Sequence, residues 1–549
     1  MKKICAHALI LFFGFGFTLT VARAHGLQQQ DDTLRLKAEL VQIDVVVTDK
    51  QNRPALGLKK GDFIVLEDGK PQEISFFSLQ RAYGTRAPGE EKVAEGGRPA
   101  SPVADLIPEP GRFIFIILDQ YNISPSNHAS LRGSLLRFIA DDVGPQDQVA
   151  IIGTSGSLAV FQQATKNRRA LELAINAFLG EGADLRAAMA VDQALNNAQR
   201  DLGIPASRGS EAYQEYIIRK TLTALKNIAT GVNDVPGRKL AIFVSENLPI
   251  QFTNSAGTDD NFLDELNRVI SRSRRGGLTF YTVDPRGLVT TIPGGSAAEA
   301  VGGSMLGGGS TREDPGARAD SLLSSRWGMM ELAAATGGYA IFNTNNVRAG
   351  LQRVLAENEA YYLLAYYPQN ASMDGKFRNI KVRVKDRPDL VVRTRKGYTA
   401  VREKDQKPTK SDSKQERIKE SLASLAPIRN IKVAIAKATA GSNIQTGERS
   451  VKTLIQIDPR SVSFLAGGNN RPGSIEVIGF VYDLKNKLVD GFSQTLKPKP
   501  ESYQRLLTGG ITVPGEIKLK RSGLYNVRVV VIDQESGEIG TASEWVEAR

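Results

Sequence analysis

The chain has 549 residues and a formal net charge of +12, with 41% hydrophobic and 24% charged residues. This composition is typical of globular proteins and excludes a wholly disordered or collagen-like chain, and a length of about 150 residues per domain indicates three or four domains. Three histidines and one cysteine exclude zinc fingers, iron–sulfur clusters, haem attachment and disulfide frameworks.

Residues 1–24 have the pattern of a secretory signal peptide. Lys2 and Lys3 begin the chain, an apolar stretch runs through residues 8–21, and Ala-Arg-Ala at 22–24 supplies a small-x-small cleavage site. Because the apolar stretch is shorter than the ~20 residues that span a bilayer, we expect cleavage and no transmembrane anchor afterwards. Cleavage would lower the net charge to +9 and remove Cys5. We therefore expect a secreted or periplasmic protein.

The first part of the mature chain is predicted as a small β-module. A polar leader occupies 25–33, and residues 34–82 contain alternating apolar positions such as Val41, Ile43 and Val45, which indicate strands. Residues 83–110 are rich in Gly, Pro, Glu and Arg without any periodicity, and are predicted as a linker.

Residues 111–360 alternate between predicted strands and helices. The apolar run Phe113–Leu118 is typical of a central parallel strand that is buried on both faces, and Asp119 follows it directly. The alternation predicts an α/β fold with a doubly wound, mostly parallel sheet, whose ligands bind beyond the carboxyl ends of the strands. Residues 286–320 include a run of glycine and other small residues and are predicted as a flexible surface insertion.

Beyond residue 360 apolar residues recur at every second position, as they do in β-strands. Strands within 361–400 are predicted to complete the N-terminal module, with Phe377–Lys385 and Leu390–Arg395 forming a hairpin. Residues 401–427 are predicted as a charged linker or solvated helix. Residues 428–549, with several strands and frequent turns, predict an all-β, immunoglobulin-like sandwich without its cysteines, serving as a spacer or second contact.

Several segments together carry a resemblance to a known family. These are VQIDVVVTDKQNRPALGLKKGDFIVLEDGKPQEISFF, RFIFIILDQYNIS, RKLAIFVS, YYLLAYYP and FRNIKVRVKDRPDLVVRTRKGY. Over about residues 34–400 the chain resembles the von Willebrand factor A-related domain proteins common in Acidobacteria. The resemblance implies a signal-bearing, secreted protein with a von Willebrand A fold, in a family whose biochemical role is mostly unassigned.

The von Willebrand A fold usually carries a metal-ion-dependent adhesion site, so the resemblance implies one at the same loops. The first loop of that site reads Asp-x-Ser-x-Ser, and this chain keeps Asp119 but has Tyr121 and Ile123 at the two hydroxyl positions. Residues 182–184 read Gly-Ala-Asp where the family has Gly-Thr-Asp, and residues 245–247 read Ser-Glu-Asn where it has Thr-Asp-Gly. The implied site is therefore degenerate.

Two interpretations of these loops stay open. A shifted site could use Asp119, Asn122, Ser124, Asp184 and Glu246 to bind Mg²⁺ weakly, since Mg²⁺ gives up its water reluctantly. Alternatively, Asp119 caps the following helix or accepts hydrogen bonds from loop amides, which is the interpretation we favour. No other cofactor is expected.

No catalysis is predicted. His128 lacks a nucleophile-elbow motif around it and is expected to face solvent. We expect a secreted, multidomain binding or adhesion protein whose partner is a protein or envelope polymer and not nucleic acid. The predicted contact is an exposed crest formed by the same five residues: Asp119, Asn122, Ser124, Asp184 and Glu246. The alternatives are a Mg²⁺-dependent adhesin and a structural envelope protein held by charge on anionic polymers.

Overall fold

A computed structural model describes most of the chain beyond the N-terminus. The described residues are 40–81, 111–154, 163–180, 211–289, 315–400 and 413–548, except 234, 236, 254–258, 371, 443–448, 467–472 and 485. The predicted signal peptide, the polar leader and the linker at 83–110 lie outside them, and so does Asp184. Residues 39–549 form one compact unit.

Six of the nine described α-helices lie between residues 125 and 357. The helices are α1 (Pro125–Arg137), α2 (Arg168–Leu179), α3 (Glu211–Gly231), α4 (Leu263–Arg275), α5 (Pro315–Thr336), α6 (Val347–Glu357), α7 (Lys414–Ala423), α8 (Ser463–Ala466) and α9 (Tyr503–Gly509). Within the described residues, none of these helices has the length and apolar character that a membrane crossing requires.

Strands occur on both sides of this helical region and within it. Up to residue 283 they are β1 (Val41–Thr48), β2 (Phe63–Glu67), β3 (Lys70–Gln72), β4 (Ile74–Arg81), β5 (Phe113–Leu118), β6 (Gln148–Gly153), β7 (Lys239–Val244), β8 (Gln251–Thr253), β9 (Asp259–Asn261) and β10 (Leu278–Val283). After it they are β11 (Ala340–Ile341), β12 (Ala360–Tyr366), β13 (Phe377–Val384), β14 (Val391–Arg393), β15 (Gly397–Thr399), β16 (Val433–Ser442), β17 (Arg449–Ile457), β18 (Ile475–Tyr482), β19 (Leu488–Leu496), β20 (Ile511–Leu519), β21 (Gly523–Asp533) and β22 (Ile539–Ala548).

The N-terminal module contains strands from both sides of the α/β region. Its two four-stranded sheets have the orders β14-β1-β12-β4 and β15-β13-β2-β3. Ile43, Val45, Phe63, Tyr362 and Tyr366 are buried in the core that the sheets share. The α/β region is therefore inserted between β4 and β12.

The predicted hairpin of residues 377–395 is wrong. β13 pairs with β2 and β15, whereas β14 pairs with β1 in the other sheet. Both strands place one apolar face on the same core. The alternation of apolar and polar residues therefore predicts that they are strands, but it does not show with which strands they pair. Residues 385–390 cross from one sheet to the other instead of closing a hairpin.

The α/β region is built on a five-stranded sheet of order β11-β10-β7-β5-β6, in which every pair is parallel. All six residues of β5 are buried. Phe113, Phe115 and Ile117 pack in a core with residues of α3, α4 and α5, and Ile114 and Ile116 pack in a second core with residues of α1, α2 and α6. Helices thus cover both faces of the sheet, which is why a continuous apolar run forms its central strand.

The insertion predicted at 286–320 is too long at its C-terminal end. Residues 315–320 form the first part of α5, and residues 290–314 lie outside the described part of the chain. The predicted insertion continued past residue 314 because Pro and Gly at 315 and 316 are typical loop residues. Proline is, however, well suited to the first turn of a helix.

Of the two forms predicted for residues 401–427, a charged linker or a solvated helix, the structure has a mostly exposed helix at Lys414–Ala423, and the segment that follows this helix is docked on the α/β region. Ser413 caps α7 by accepting a hydrogen bond from the backbone N–H of Glu416 at 3.1 Å. The following Leu425 and Ala426 are buried in the core of the α/β region. Gln163 Nε2 donates to the carbonyl of Ser424 at 3.0 Å. This segment docks on the α/β region because its few apolar residues lie together. The high charge of the whole segment conceals these residues when only composition is considered.

The described strands between residues 433 and 548 form two facing antiparallel sheets. The orders are β16-β17-β20 and β19-β18-β21-β22, and the two sheets share one apolar core. Strands β17, β18 and β20 alternate between buried and more exposed positions. A sheet with one face on a core and one toward solvent produces this alternation.

Candidate functional site

The candidate site lies at the carboxyl edge of the parallel sheet. The chain continues from β5 into Asp119 and from β7 into Ser245, and β5 lies between β6 and β7. In sheets of this type such a position opens a crevice beyond the strand ends. The structure brings Asp119, Asn122, Ser124 and Glu246 together here, while Asp184 lies outside the described residues.

The Asp119 side chain is completely buried, with 0% exposure. Its Oδ1 accepts hydrogen bonds from the hydroxyls of Thr154 at 2.8 Å and Thr221 at 3.3 Å. Its Oδ2 accepts from Asn122 Nδ2 at 2.9 Å and from the Ser245 hydroxyl at 2.8 Å. The expectation that this carboxylate lies on an exposed crest is therefore wrong, and the side chain is not available to a partner.

Four neutral donors stabilise the Asp119 carboxylate. Burial raises its pKa above the usual range of an aspartate, and the hydrogen bonds from Asn122, Ser245, Thr154 and Thr221 oppose that shift. A buried carboxylate without such donors would be strongly destabilising. The sequence favoured loop amides as the partners of Asp119, but the structure shows one side-chain amide, that of Asn122, and three hydroxyls as the donors.

Glu246, and not Asp119, satisfies the N-terminus of α1. Its Oε1 accepts from the backbone N–H of Ser124 at 2.7 Å and from Asn127 Nδ2 at 2.9 Å, and its Oε2 accepts from the Ser124 hydroxyl at 2.6 Å. Ser124 is the N-cap residue and Pro125 begins the helix. A carboxylate is favourable there because the helix dipole is positive at that end. The helix-capping role proposed for Asp119 is wrong.

Asp284, after β10, is a third carboxylate at this edge. It is 0% exposed and accepts hydrogen bonds from Arg286 Nε at 2.8 Å and Arg326 Nε at 2.7 Å. Arg326 belongs to α5, so this ion pair ties that helix to the sheet edge. The sequence marks Asp284 as a residue of this edge because it directly follows a predicted strand. No pattern in the sequence around Arg326 indicates that it pairs with Asp284.

The oxygen ligands that the described residues offer at this edge do not fit a divalent ion. An ion of the Mg²⁺ type requires several oxygen ligands around an accessible position. Asp119 instead faces the amide nitrogen of Asn122, and Glu246 is occupied by three donors. Within the described part of the chain, no group of three or more His, Cys, Asp or Glu side chains is placed to hold a metal.

An exposed apolar face of α5 adjoins this edge, and the sequence did not point to it. The side chains of Leu323, Trp327 and Met330 are 62%, 52% and 44% exposed and follow one another at helical spacing. The opposite side of α5 contacts the edge, since Gly328 N–H donates to the Leu248 carbonyl at 3.1 Å. A Cβ at Gly328 would lie 2.2 Å from that carbonyl oxygen, so only glycine allows this approach. Leu323, Trp327 and Met330 are called the α5 apolar face below.

Comparisons with known proteins give no assignment. No protein-family model and no curated protein matches the chain. Among solved structures, the chain is similar to beta-glucuronidase of Bacteroides uniformis with 8% identity and a TM-score of 0.14, over 22% of this chain and 13% of that one. It is similar to the conserved hypothetical protein BatB of Bacteroides thetaiotaomicron with 10% identity and a TM-score of 0.21, over 45% of this chain and 98% of that one.

A third solved structure is dimeric latent PorU of Porphyromonas gingivalis, with 16% identity and a TM-score of 0.13 over 35% of this chain and 14% of that one. The chain thus spans a small part of the glucuronidase and of PorU. The TM-scores of these three likenesses are too low to support a fold or an activity.

Proposed function

We propose that this is a secreted, non-catalytic protein-binding protein that recognises its partner without a metal ion. The proposed contact is the α5 apolar face together with the adjoining loops at the carboxyl edge of the sheet. The α/β region is proposed to be a domain of the von Willebrand A type, and residues 428–549 an immunoglobulin-like sandwich. The exposed side chain of Trp327, flanked by Leu323 and Met330, is the observation that carries the proposal.

An exposed tryptophan on a helix favours a protein partner. Tryptophan is enriched among the residues that contribute most to binding between proteins, and clustered exposed apolar side chains often mark such contacts. Half-buried Asn122 and Ser124 lie at the same edge and supply a polar rim. The partner would bury the indole ring and the two aliphatic side chains beside it, while its polar groups meet the loop amides.

The hydrogen bonds that hold this edge together support the proposed independence from a metal ion. Asp119, Glu246 and Asp284 each accept hydrogen bonds from side chains or backbone groups of the protein itself. An ion is therefore not needed to hold these loops in place. The proposal includes no chemical step. The expectation that His128 faces solvent is wrong, because His128 is a buried residue of α1.

Site-specific photo-crosslinking tests the contact. A photoreactive phenylalanine analogue replaces Trp327 in one variant and Leu488 in another, and Leu488 is similarly exposed but lies on β19. In living cells of the source organism, the analogue at 327 is expected to crosslink one discrete protein. The analogue at 488 is expected to give no such adduct. Equal adduct patterns at the two positions would contradict the proposal.

The affinity of the crosslinked partner then tests both parts of the proposal. Trp327→Ser is expected to weaken binding by about 2 kcal/mol or more, a loss of about thirtyfold, whereas Leu488→Ser leaves it unchanged. A chelator is expected to leave the affinity unchanged as well. Unchanged affinity of the Trp327→Ser variant would remove the α5 apolar face from the proposal, and loss of binding in chelator would favour the Mg²⁺-dependent adhesin.

A further inference from the structure

A polar pocket lies between α1 and α6, on the face of the parallel sheet opposite to α5. Residues of α1 and α6 share the core on this face, whereas residues of α5 belong to the core on the other face. The pocket has a volume of about 510 Å³, within the range of about 300–1000 Å³ that is usual for small-ligand sites. The described residues that line it are Ser130, Ser134, Arg137, Asn345, Asn346, Arg348 and Gln352. This space is called the polar pocket below.

Ser134 is a buried hydroxyl residue of the polar pocket. It is 6% exposed, and no described residue forms a hydrogen bond with its hydroxyl. Other buried helical serines donate to a carbonyl of their own helix, as Ser273 does to Val269 at 2.7 Å and Ser421 does to Ile418 at 2.8 Å. A buried hydroxyl without a partner is costly. A ligand that enters the polar pocket and bonds to Ser134 would remove that cost.

Three amide side chains of the polar pocket are each fixed by one end. Asn345 Oδ1 accepts from the backbone N–H of Leu288 at 3.0 Å, and Asn346 Oδ1 caps α6 at 3.0 Å from a backbone nitrogen. Gln352 Nε2 donates to Asp142 Oδ1 at 2.9 Å. In the part of the chain that the structure describes, the other end of each amide has no hydrogen-bond partner. The two asparagine nitrogens are therefore held as donors and the glutamine oxygen as an acceptor.

The charge around the polar pocket is nearly balanced. Arg348 donates to Asp142 from Nε at 2.7 Å and from Nη2 at 3.0 Å, and its Nη2 also lies 2.9 Å from Asp141 Oδ2. Two carboxylates thus accompany this guanidinium group, and Arg137, the other arginine of the pocket, is exposed. An anionic ligand would be repelled by the aspartates about as much as it is attracted by the arginines. The surroundings therefore favour a neutral ligand.

We propose that the polar pocket binds a neutral saccharide. Sugar hydroxyls both donate and accept hydrogen bonds, and they match a pocket that offers hydroxyls, amide donors and an amide acceptor. None of the described residues that line it is apolar, which disfavours a lipid or an aromatic ligand. A peptide offers fewer polar groups in the same volume, because its side chains occupy much of that volume. One hydroxyl of the sugar would bond to Ser134 and its neighbours to Ser130 and the asparagine nitrogens.

Saturation-transfer NMR with the mature protein tests the proposal. The probes are three neutral disaccharides, cellobiose, maltose and N,N′-diacetylchitobiose, and we expect transfer to at least one of them. The double variant Ser130→Ala/Ser134→Ala removes two hydroxyls of the polar pocket without breaking a hydrogen bond between described residues. It is expected to bind that disaccharide about tenfold more weakly than the natural protein.

Two further variants separate loss of the site from loss of the fold. The matched control Ser273→Ala/Ser324→Ala replaces one buried and one exposed helical serine outside the polar pocket, and it is expected to bind the disaccharide as the natural protein does. Ser130→Phe fills the pocket from an exposed position, so we expect it to melt normally but to show no transfer. Trp327→Ser is expected to leave sugar binding unchanged because α5 lies on the other face of the sheet. Either proposal can therefore fail without the other.

Three results would overturn the proposal. No disaccharide could show transfer, or the Ser130→Ala/Ser134→Ala variant could bind no more weakly than its control. Triglycine, which has amide groups but no hydroxyls, could compete with the disaccharide as well as a second sugar does and so favour a peptide. Cosedimentation with cellulose, starch or chitin then distinguishes the source of the sugar. Retention that Ser130→Phe abolishes would identify a polymer, and binding of the disaccharide without retention would identify a free sugar.

Discussion

At the scale of single residues, four neutral hydrogen-bond donors stabilise the charge of Asp119, and among the described residues no arginine or lysine donates a hydrogen bond to its side chain. Because burial raises the pKa of Asp119, the folded chain binds more protons than the unfolded chain between the ordinary and the raised value. The free energy of unfolding therefore falls as the pH rises through that window. A neutral side chain of the same shape would not carry this cost.

Relative to the natural protein, the melting temperature of Asp119→Asn is expected to fall as the pH is lowered from about 7 to about 4, because only the natural protein gains stability by protonating Asp119 in its folded chain. Thermal unfolding followed by circular dichroism measures the difference. Asp119→Ala is the comparison, since it leaves four donors without their acceptor and is expected to cost about 3 kcal/mol. A lower melting temperature for Asp119→Asn at pH 7, together with a Mg²⁺-dependent rise in the natural protein, would support a metal site instead.

At the scale of elements, the sequence predicts β5 and the carboxyl edge where Asp119 lies because a continuous apolar run requires a strand buried on both faces. It does not predict Thr221 as a partner of Asp119, since that threonine is on α3, about a hundred residues later in the chain. It also misplaces β13 and β14 in one hairpin, because alternation specifies a buried face and not a neighbouring strand. Pairings distant in sequence are decided by packing of the whole unit.

The docked segment after α7 gives a test at the same scale. Leu425 is buried against the α/β region, so Leu425→Ala is expected to lower the free energy of unfolding by about 3 kcal/mol through the cavity it leaves. Urea unfolding measures this, with Leu488→Ala as an exposed control that is expected to change it by less than about 0.5 kcal/mol. Equal, small effects of the two substitutions would mean that residues 424–426 do not hold the segment in place.

At the scale of the whole molecule, the insertion of the α/β region into the N-terminal module makes the two parts dependent on each other. β1 pairs with β12, and the whole parallel sheet lies between them in the chain. If the α/β region unfolds, β1 and β12 are joined only by a long flexible chain, and the entropy of closing that loop opposes their pairing. Residues 433–548, by contrast, contain both of their sheets in one continuous stretch.

Calorimetry can detect this dependence with three matched substitutions of buried isoleucines. Ile43→Val in the N-terminal module and Ile116→Val in the α/β region are each expected to cost about 1 kcal/mol and to lower the same thermal transition. Ile455→Val in the C-terminal sandwich is expected to lower a different transition, because that part closes its core without the insertion. If Ile43→Val and Ile116→Val moved separate transitions, the module would be folding independently of the region inserted into it, and the strand pairing of β1 with β12 would survive without the sheet between them.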